Sequence, residues 1–127
     1  RPLLVKIAPD VSAEQIGQIA RIARELDVDG LIATNTTISR PPQLAGLRHA
    51  TEQGGLSGAP LRGLADDTLR RLRAAVGDDF VLVGVGGVTQ AAHARAKRDA
   101  GADLVQIYTG FIYRGPELVA ECARALA

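Results

Sequence analysis

The 127-residue sequence is poor in the residues that mark disulfide-stabilised, membrane-spanning or nucleic-acid-binding proteins. A single cysteine excludes an internal disulfide and fits a reducing compartment. Aromatic residues make up only 3%, too few for the stacking surfaces that bind single-stranded nucleic acid. A net charge of +1 implies no attraction to a polyanion or an anionic membrane surface. No apolar run approaches the roughly 20 residues of a membrane-spanning helix.

Four apolar runs, each ending in polar or glycine residues, organise the chain. They are LLVKIAP, LIATNTT, LVGVGG and LVQIYTG, and segments with helical periodicity separate them. Strand and helix repeated four times predict an α/β fold with a parallel sheet. Because a complete (β/α)8 TIM barrel takes about 250 residues, we expect the chain to supply about the last four βα units. Residues 1–127 would then be the C-terminal half of a single barrel domain.

Several predicted helices carry recognisable end signals. Ser12 and Gln15 match a capping box at the start of the first helix. Thr89 is a candidate cap for an alanine-rich helix, and Pro116 occupies the favoured first position of the last helix. These signals place the polar ends of the apolar runs in strand-to-helix loops.

A long segment without clear periodicity runs from Ile38 to Pro60. Loops longer than about 12–15 residues inside a compact domain are usually functional or disordered. The sequence GGLSG at residues 54–58 favours ordered, close backbone approach. We therefore expect this loop to belong to the site.

A glycine-rich turn, Gly84 to Gly87, follows the third strand and precedes a helix. Its backbone N–H groups could receive a phosphate, although a simple tight turn is the alternative. It is not a dinucleotide fingerprint, because Thr89 stands where the third glycine would be, and it lacks the Lys-Ser/Thr of a P-loop. The turn would end strand seven of the barrel and Tyr108–Gly110 strand eight, where barrels commonly hold phosphates. This placement favours a phosphate site.

Lys6, Asn35 and Thr36 are the other polar residues at predicted strand ends. A charge inside the apolar run of Lys6 is costly unless it is partnered. Lys6 either extends to solvent or provides a fixed cation beside an anion-forming cofactor ring or a substrate carboxylate. Asn35 and Thr36 offer neutral donors and acceptors, which suit a heterocycle with amide-like edges, whereas turn capping is the structural alternative.

Other reactive residue types have structural interpretations. His49 and His93 lack partners at metal-ligand spacing, so no metal site is expected. Cys122 lies on a helical apolar stripe and is predicted to be a core thiol. The pair Asp66–Asp67 is interpreted as the acidic start of a helix.

Five linked motifs carry a family resemblance. VKIAPD, ATNTT, GGLSGAPL, GVGGV and LVQIYTGFIYRGP, in this order and spacing, resemble the C-terminal half of class 2 dihydroorotate dehydrogenase and cover essentially the whole chain. That family is a (β/α)8 barrel with FMN at its mouth. It oxidises dihydroorotate to orotate in pyrimidine synthesis and passes the electrons to a membrane quinone. GGLSG and YTGFIY favour this quinone-linked class over the soluble fumarate- or NAD-linked ones.

The resemblance implies a role for each polar strand end. Lys6 would bind the N1/O2 side of the flavin and stabilise the negative charge of the reduced ring, and Thr34 would touch the flavin. Asn35 and Thr36 would hold the pyrimidine of orotate. Four further residues would grip FMN, the last three largely through backbone N–H groups at the phosphate: Gly58, Gly87, Tyr108 and Thr109.

The resemblance also implies what these residues do not supply. The catalytic base, a serine in class 2, and the N-terminal helical segment that contacts quinone and membrane would lie outside them. The whole protein would be a peripheral enzyme on the cytoplasmic side of the inner membrane, and the isolated segment would be inactive. Two alternatives are another FMN- or phosphate-binding barrel oxidoreductase, of dihydropyrimidine or dihydrouridine type, and a non-catalytic half-barrel that dimerises or scaffolds.

Overall fold

The computed structural model describes residues 1–127 and alternates strands with helices as the sequence predicts. The four strands are β1 Leu4–Ile7, β2 Gly30–Ala33, β3 Val81–Val85 and β4 Leu104–Gln106. The five α-helices are α1 Ala13–Glu25, α2 Arg62–Val76, α3 Ala91–Asp99, α4 Thr109–Arg114 and α5 Pro116–Leu126. Two short 3-10 helices cover Pro42–Leu44 and Ala59–Leu61. No helix combines the length and the apolarity needed to cross a membrane.

The strands form one parallel sheet in the order β1-β2-β3-β4. In its register, Lys6 lies beside Ile32 and Gly84 lies beside Val105. The strands are parallel because each connecting segment returns the chain to the same end of the sheet, and each strand pairs with the next one along the chain. The α/β prediction of four consecutive βα units, in the strand order of a TIM barrel, is confirmed.

The sheet is curled. Lys6 on β1 and Gln106 on β4 belong to the two outer strands, yet Lys6 Nζ lies 3.4 Å from Gln106 Oε1. In a flat sheet their Cα atoms would be separated by three strand spacings, roughly 14 Å, and side chains that stand perpendicular to the sheet would stay that far apart. The two side chains meet because they stand on the concave face, as residues inside a barrel do.

The main core lies between the sheet and the helices. Its thirteen buried residues include Ile16 and Ala20 of α1, Leu69 and Leu72 of α2, and Leu82 of β3. The concave face carries the polar residues of the strand ends. Packing on one face thus leaves the other free to form a site.

Two of the helix-start predictions are confirmed. Gln15 N–H donates to Ser12 Oγ at 3.2 Å, and Ser12 N–H donates to Gln15 Oε1 at 2.8 Å, which completes the capping box. Pro116 is the first residue of α5. Cys122 is buried with Leu118 in a smaller apolar cluster, and burial raises the pKa of its thiol.

The prediction that Thr89 caps α3 is wrong. The cap position belongs to Gln90, which makes no side-chain capping bond. Thr89 Oγ1 instead lies 3.2 Å from His93 Nδ1, one turn along the chain. The short helix α4 was not predicted, because it falls inside a motif that ends an apolar run.

The interpretation of Asp66 as part of a helix start is also wrong. Helix α2 begins at Arg62, so Asp66 lies beyond its first residues and faces the interior. Its Oδ1 is 2.6 Å from Nζ of the buried Lys97 on α3. Asp66 therefore pairs with a buried cation instead of the positive end of the helix.

Candidate functional site

One cavity of about 260 Å³ opens where the four strands end. The carboxyl ends of parallel strands lie at one edge of the sheet, so the loops that follow them share this mouth. All eight residues that the sequence points to line it: Lys6, Thr34, Asn35, Thr36, Gly58, Gly87, Tyr108 and Thr109. The structure thus brings together Lys6 of β1 and residues that follow β2, β3 and β4.

Lys6 is the only charged residue that lines the cavity. Its ammonium has a single side-chain partner, the amide oxygen of Gln106 at 3.4 Å. No carboxylate lines the cavity to neutralise it. A lone cation among neutral polar groups and backbone makes the cavity suited to an anionic ligand.

The residues that follow β2 are tied to both neighbouring strands. Thr34 N–H donates to Val85 O at 3.1 Å, and Asn35 N–H donates to Ile7 O at 2.7 Å. Thr34 is almost fully buried, whereas Asn35 and Thr36 are exposed at the cavity. Asn35 Oδ1 accepts from Thr36 N–H at 3.0 Å, and the Asn35 NH2 group donates to no acceptor in the chain. This amide is available to a ligand.

The long loop after β2 is ordered at its base. Thr37 and Leu56 form an antiparallel bridge, with N–H···O distances of 3.1 and 2.8 Å in the two directions. Gly55 lies against Thr36 so closely that a Cβ there would be 2.5 Å from Thr36 Cβ. The predicted close backbone approach is confirmed. It places Ser57 and Gly58 on the cavity wall.

The glycine-rich segment Gly84–Gly87 is partly strand and partly turn. Gly84 belongs to the strand, whereas Gly86 and Gly87 have φ values of 112° and 72°, a region that favours glycine. The N–H groups of Gly87 and Val88 donate to no acceptor in the chain. They are available to an anion at the cavity wall.

Gly87 also packs against the start of α2. A Cβ at Gly87 would lie 2.8 Å from Arg62 Cα and 3.0 Å from Arg62 N. The sequence predicts a phosphate contact at this turn, with a simple tight turn as the alternative. The close contact with Arg62 shows that the fold requires this glycine as well.

The turn after β4 completes the wall. Thr109 lies beside Gly58, since a Cβ on Gly58 would be 3.3 Å from Thr109 Cγ2. Gly110 packs against the carbonyl oxygen of Val88. The loops after β2, β3 and β4 therefore hold one another, and the Tyr108 side chain stays 75% exposed.

His93 stands behind the glycine turn and does not line the cavity. Burial, and then the neighbouring Arg62 guanidinium, lower the pKa of this imidazole. His93 is therefore neutral at pH 7 and adds no second charge near the cavity.

Two polar lining residues escaped the sequence analysis, Ser57 and Gln106. Gln106 has the signal that identified Lys6, a polar side chain near the end of an apolar strand. Ser57 lies within the GGLSG segment, but only the bridge at Leu56 determines that it reaches the wall.

Comparison with known proteins places the whole chain in one group. A family model described as "Dihydroorotate dehydrogenase" matches residues 1–127. The chain is 56% identical over 126 residues to a dihydroorotate dehydrogenase (quinone) of Paraburkholderia phymatum, covering 99% of this chain and 36% of that protein. It is also 56% identical over 125 residues to the enzyme of the same name from Leptothrix cholodnii, covering 98% of this chain and 36% of the relative.

A solved structure shows the same arrangement. The crystal structure of DHODH from Eimeria tenella in complex with ferulenol superimposes with a TM-score of 0.91 at 38% identity, covering 99% of this chain and 33% of that one. The chain therefore spans about a third of the length of the proteins it matches.

Proposed function

The chain belongs to the dihydroorotate dehydrogenase family, and from this premise we propose that it forms part of a flavoenzyme that oxidises dihydroorotate to orotate. The electrons would pass from FMN to a quinone. The observation that carries the proposal is the single cavity whose wall combines a lone cation, unpartnered backbone N–H groups and an unpartnered amide. These are complementary to a flavin, a phosphate and a pyrimidine respectively.

Lys6 would stabilise the flavin side of the reaction. FMN, when bound, supplies the hydride acceptor for the oxidation of dihydroorotate. The Lys6 ammonium, which has no competing carboxylate in the cavity, would stabilise negative charge at the N1/O2 side of the flavin ring. Thr34, buried and fixed by Val85, would form the adjoining wall.

The phosphate of FMN would lie near the turns after β3 and β4. The free N–H groups of Gly87 and Val88 support this placement. Tyr108 and Thr109 would add contacts from the neighbouring turn, and Gly58 would allow close approach from the opposite loop. The contact between Gly58 and Thr109 holds these segments together before any ligand binds.

Asn35 and Thr36 would hold the pyrimidine. A pyrimidine ring with two carbonyls and two N–H groups needs both donors and acceptors at its edge. The free Asn35 amide NH2 supplies donors, and the Thr36 hydroxyl can donate or accept. Neither group titrates near pH 7, so they orient the ring and leave proton transfer to a base elsewhere.

The remaining parts of the activity lie beyond these residues. The base that takes the C5 proton would be a serine in another part of the enzyme. Quinone and a peripheral membrane contact on the cytoplasmic side of the inner membrane would involve an N-terminal region. The names of the relatives, which specify quinone, support this acceptor.

The family match favours dihydroorotate over the dihydropyrimidine and dihydrouridine alternatives. The full-length protein that contains this chain should purify yellow, and orotate should perturb the flavin spectrum. A protein without flavin, or with a flavin spectrum that orotate leaves unchanged, would contradict the proposal and favour the non-catalytic scaffold.

Substitution of Lys6 tests the role of the cation. In the full-length enzyme, Lys6→Ala should weaken FMN binding and slow flavin reduction roughly 10- to 150-fold in total, the range expected for losing a hydrogen bond to a charged group. Lys6→Arg keeps the charge and should lose less. FMN content and stopped-flow reduction kinetics measure both effects. Unchanged occupancy together with unchanged kinetics in Lys6→Ala would refute the assignment.

A further inference from the structure

Asp10 makes an unusual number of contacts for an exposed carboxylate. It lies in the loop between β1 and α1, outside the cavity lining. Asp10 Oδ1 accepts from Thr37 Oγ1 at 2.5 Å and from Ser39 Oγ at 3.0 Å. Asp10 Oδ2 accepts from Ile38 N–H at 3.2 Å. Three consecutive residues after β2 are thus held by one side chain that follows β1.

The electrostatics agree with this geometry. Partial burial raises the pKa of Asp10, but the hydrogen bonds from Thr37, Ser39 and Ile38 outweigh it and keep the pKa below its ordinary value. The carboxylate is therefore ionised at neutral pH and accepts charge-assisted hydrogen bonds, which are stronger than neutral ones.

Thr37 connects the hydrogen bonds of Asp10 to two parts of the cavity wall. It directly follows Thr36, and its side chain is nearly fully buried. Its backbone forms the two-way bridge to Leu56, which directly precedes Ser57 and Gly58. Its Oγ1 also accepts from Ser39 N–H at 2.9 Å. A shift of Thr37 would therefore displace the cavity wall at Thr36 and at Ser57 together.

We propose that Asp10 is a positioning residue that fixes Asn35 and Thr36 toward the pyrimidine through its hydrogen bonds to residues 37–39 and, through the Thr37–Leu56 bridge, also holds the Ser57–Gly58 segment of the wall. It acts without touching the ligand. The role of Asn35 and Thr36 toward the pyrimidine rests on the proposed function. The hydrogen bonds of Asp10 to residues 37–39 do not depend on that function.

The chain offers a matched control. Asp29 is another exposed carboxylate in a strand-flanking loop, and its Oδ2 accepts from Leu3 N–H at 2.6 Å. This contact lies before β1 and β2, at the end of the sheet away from the cavity. Asp29→Asn therefore weakens a comparable hydrogen bond between a carboxylate and the backbone without disturbing residues 35–39.

The experiment uses the full-length enzyme and its orotate affinity, read from the flavin spectrum. Asp10→Ala should raise the dissociation constant of orotate about 10-fold, since loss of one charge-assisted hydrogen bond corresponds to at least that factor. FMN content should fall less than orotate affinity, because the FMN contacts at Lys6 and Gly87 do not depend on Asp10. Asp10→Asn should be intermediate, and Asp29→Asn should bind orotate like wild type.

A double-variant comparison identifies the route. If Asp10 acts through Thr37, the combination of Asp10→Ala with Thr37→Val should weaken orotate binding little more than either change alone. Equal orotate affinity in Asp10→Ala and wild type would overturn the proposal. An equal loss in Asp10→Ala and Asp29→Asn would also overturn it, because a general loss of stability would then be sufficient.

Amide hydrogen exchange separates this inference from the proposed function. Peptides that contain Thr37 and Leu56 should exchange faster in Asp10→Ala and normally in Asp29→Asn, with or without ligand. If the wild-type protein showed no spectral response to orotate but exchange in Asp10→Ala increased as expected, the proposed function would be refuted. The positioning of residues 37–39 by Asp10 would still be supported. Unchanged exchange in Asp10→Ala would refute the claim that Asp10 holds residues 37–39 in place.

Discussion

The only two lysines in the chain, Lys6 and Lys97, lie in different environments, and the other thirteen of its fifteen basic residues are arginines. Lys6 projects into the cavity and Lys97 is fully buried. A lysine presents a compact charge on a flexible stem, which can reach one acceptor through a narrow apolar space, whereas a guanidinium needs several acceptors in a plane. Each lysine accordingly has one side-chain acceptor, Gln106 for Lys6 and Asp66 for Lys97.

Gly87 serves the fold and the proposed phosphate contact at once. Gly87→Ala should lower the melting temperature of the full-length enzyme, because its Cβ would overlap the backbone of Arg62 and the residue would keep a φ of 72°. Gly63, on the same helix as Arg62, has open space around it, so Gly63→Ala is a control that should not lower it.

The affinities of FMN and riboflavin for Gly87→Ala separate the two functions. A displaced N–H at the phosphate should weaken FMN binding far more than riboflavin binding, since riboflavin has no phosphate. An equal loss for the two flavins would mean that Gly87 matters to the fold alone.

At the scale of elements, a buried ion pair joins α2 and α3 across β3. Lys97 Nζ lies 2.6 Å from Asp66 Oδ1, and neither atom makes a hydrogen bond to any other group in the chain. The lysine stem passes over Gly84, where a Cβ would be 3.1 Å from Lys97 Cδ. The glycine in the middle of a buried strand thus makes room for the side chain that links the two helices.

Removing one charge of the Asp66–Lys97 pair should reduce the free energy of unfolding much more than replacing both residues. Asp66→Asn leaves the ammonium of Lys97 buried without a counter-charge and should reduce the free energy of unfolding by about 3–5 kcal/mol. Replacing both, with Asp66→Leu and Lys97→Met, should be close to neutral, because two desolvated charges are exchanged for apolar contacts. Urea denaturation of the full-length enzyme measures both. A mild effect of Asp66→Asn at neutral pH would contradict the prediction.

The pH dependence of Asp66→Asn provides a second check. Burial lowers the pKa of Lys97, although its contact with Asp66 acts in the opposite direction. A cation whose pKa is lower in the folded state binds fewer protons there than in the unfolded state, so stability increases as the pH rises through that interval. The defect of Asp66→Asn should therefore shrink at alkaline pH, where Lys97 can become neutral.

At the scale of the whole molecule, the curled sheet has two open edges. β1 and β4 each pair with one neighbour only, and Leu3, which precedes β1, and Leu104, the first residue of β4, are 59% and 60% exposed. Unpaired strand edges with apolar side chains are templates for pairing with another chain. In a closed barrel both edges would be paired with further strands.

Expressed alone, residues 1–127 should associate or partly unfold, and should neither hold FMN tightly nor oxidise dihydroorotate. The open edges favour association, and the proposed base and the flavin contacts of the other strands are not among these residues. Sedimentation and flavin titration measure the outcome, and addition of the remaining part of the enzyme in trans should restore FMN binding. Turnover of dihydroorotate by a monomer of these 127 residues would refute the half-barrel interpretation.

Much of the fold and of the site could be predicted because the signals are local. Four apolar runs of strand length define the sheet, and the helical periodicity between them determines that its strands are parallel. The polar residues at the strand ends predict one shared mouth, since parallel strands end at the same edge. Lys6, Asn35 and Gly87 could therefore be assigned to one cavity before any contact was known. Thr89 failed as a cap because several residues near a helix start can compete for that position.

The order of the elements and the set of residues at the mouth follow from the local pattern of the sequence. Which side chains support those residues follows only from the assembled fold. Lys6 meets Gln106 across 100 positions, Asp10 holds Thr37 across 27, and Lys97 reaches Asp66 on a different helix. Such contacts depend on the curl of the sheet and on the packing of helices against it. Neither of these can be recognised from the periodicity of the sequence. Local periodicity encodes which face a residue occupies, whereas its partner on that face is decided by the geometry of the assembled sheet.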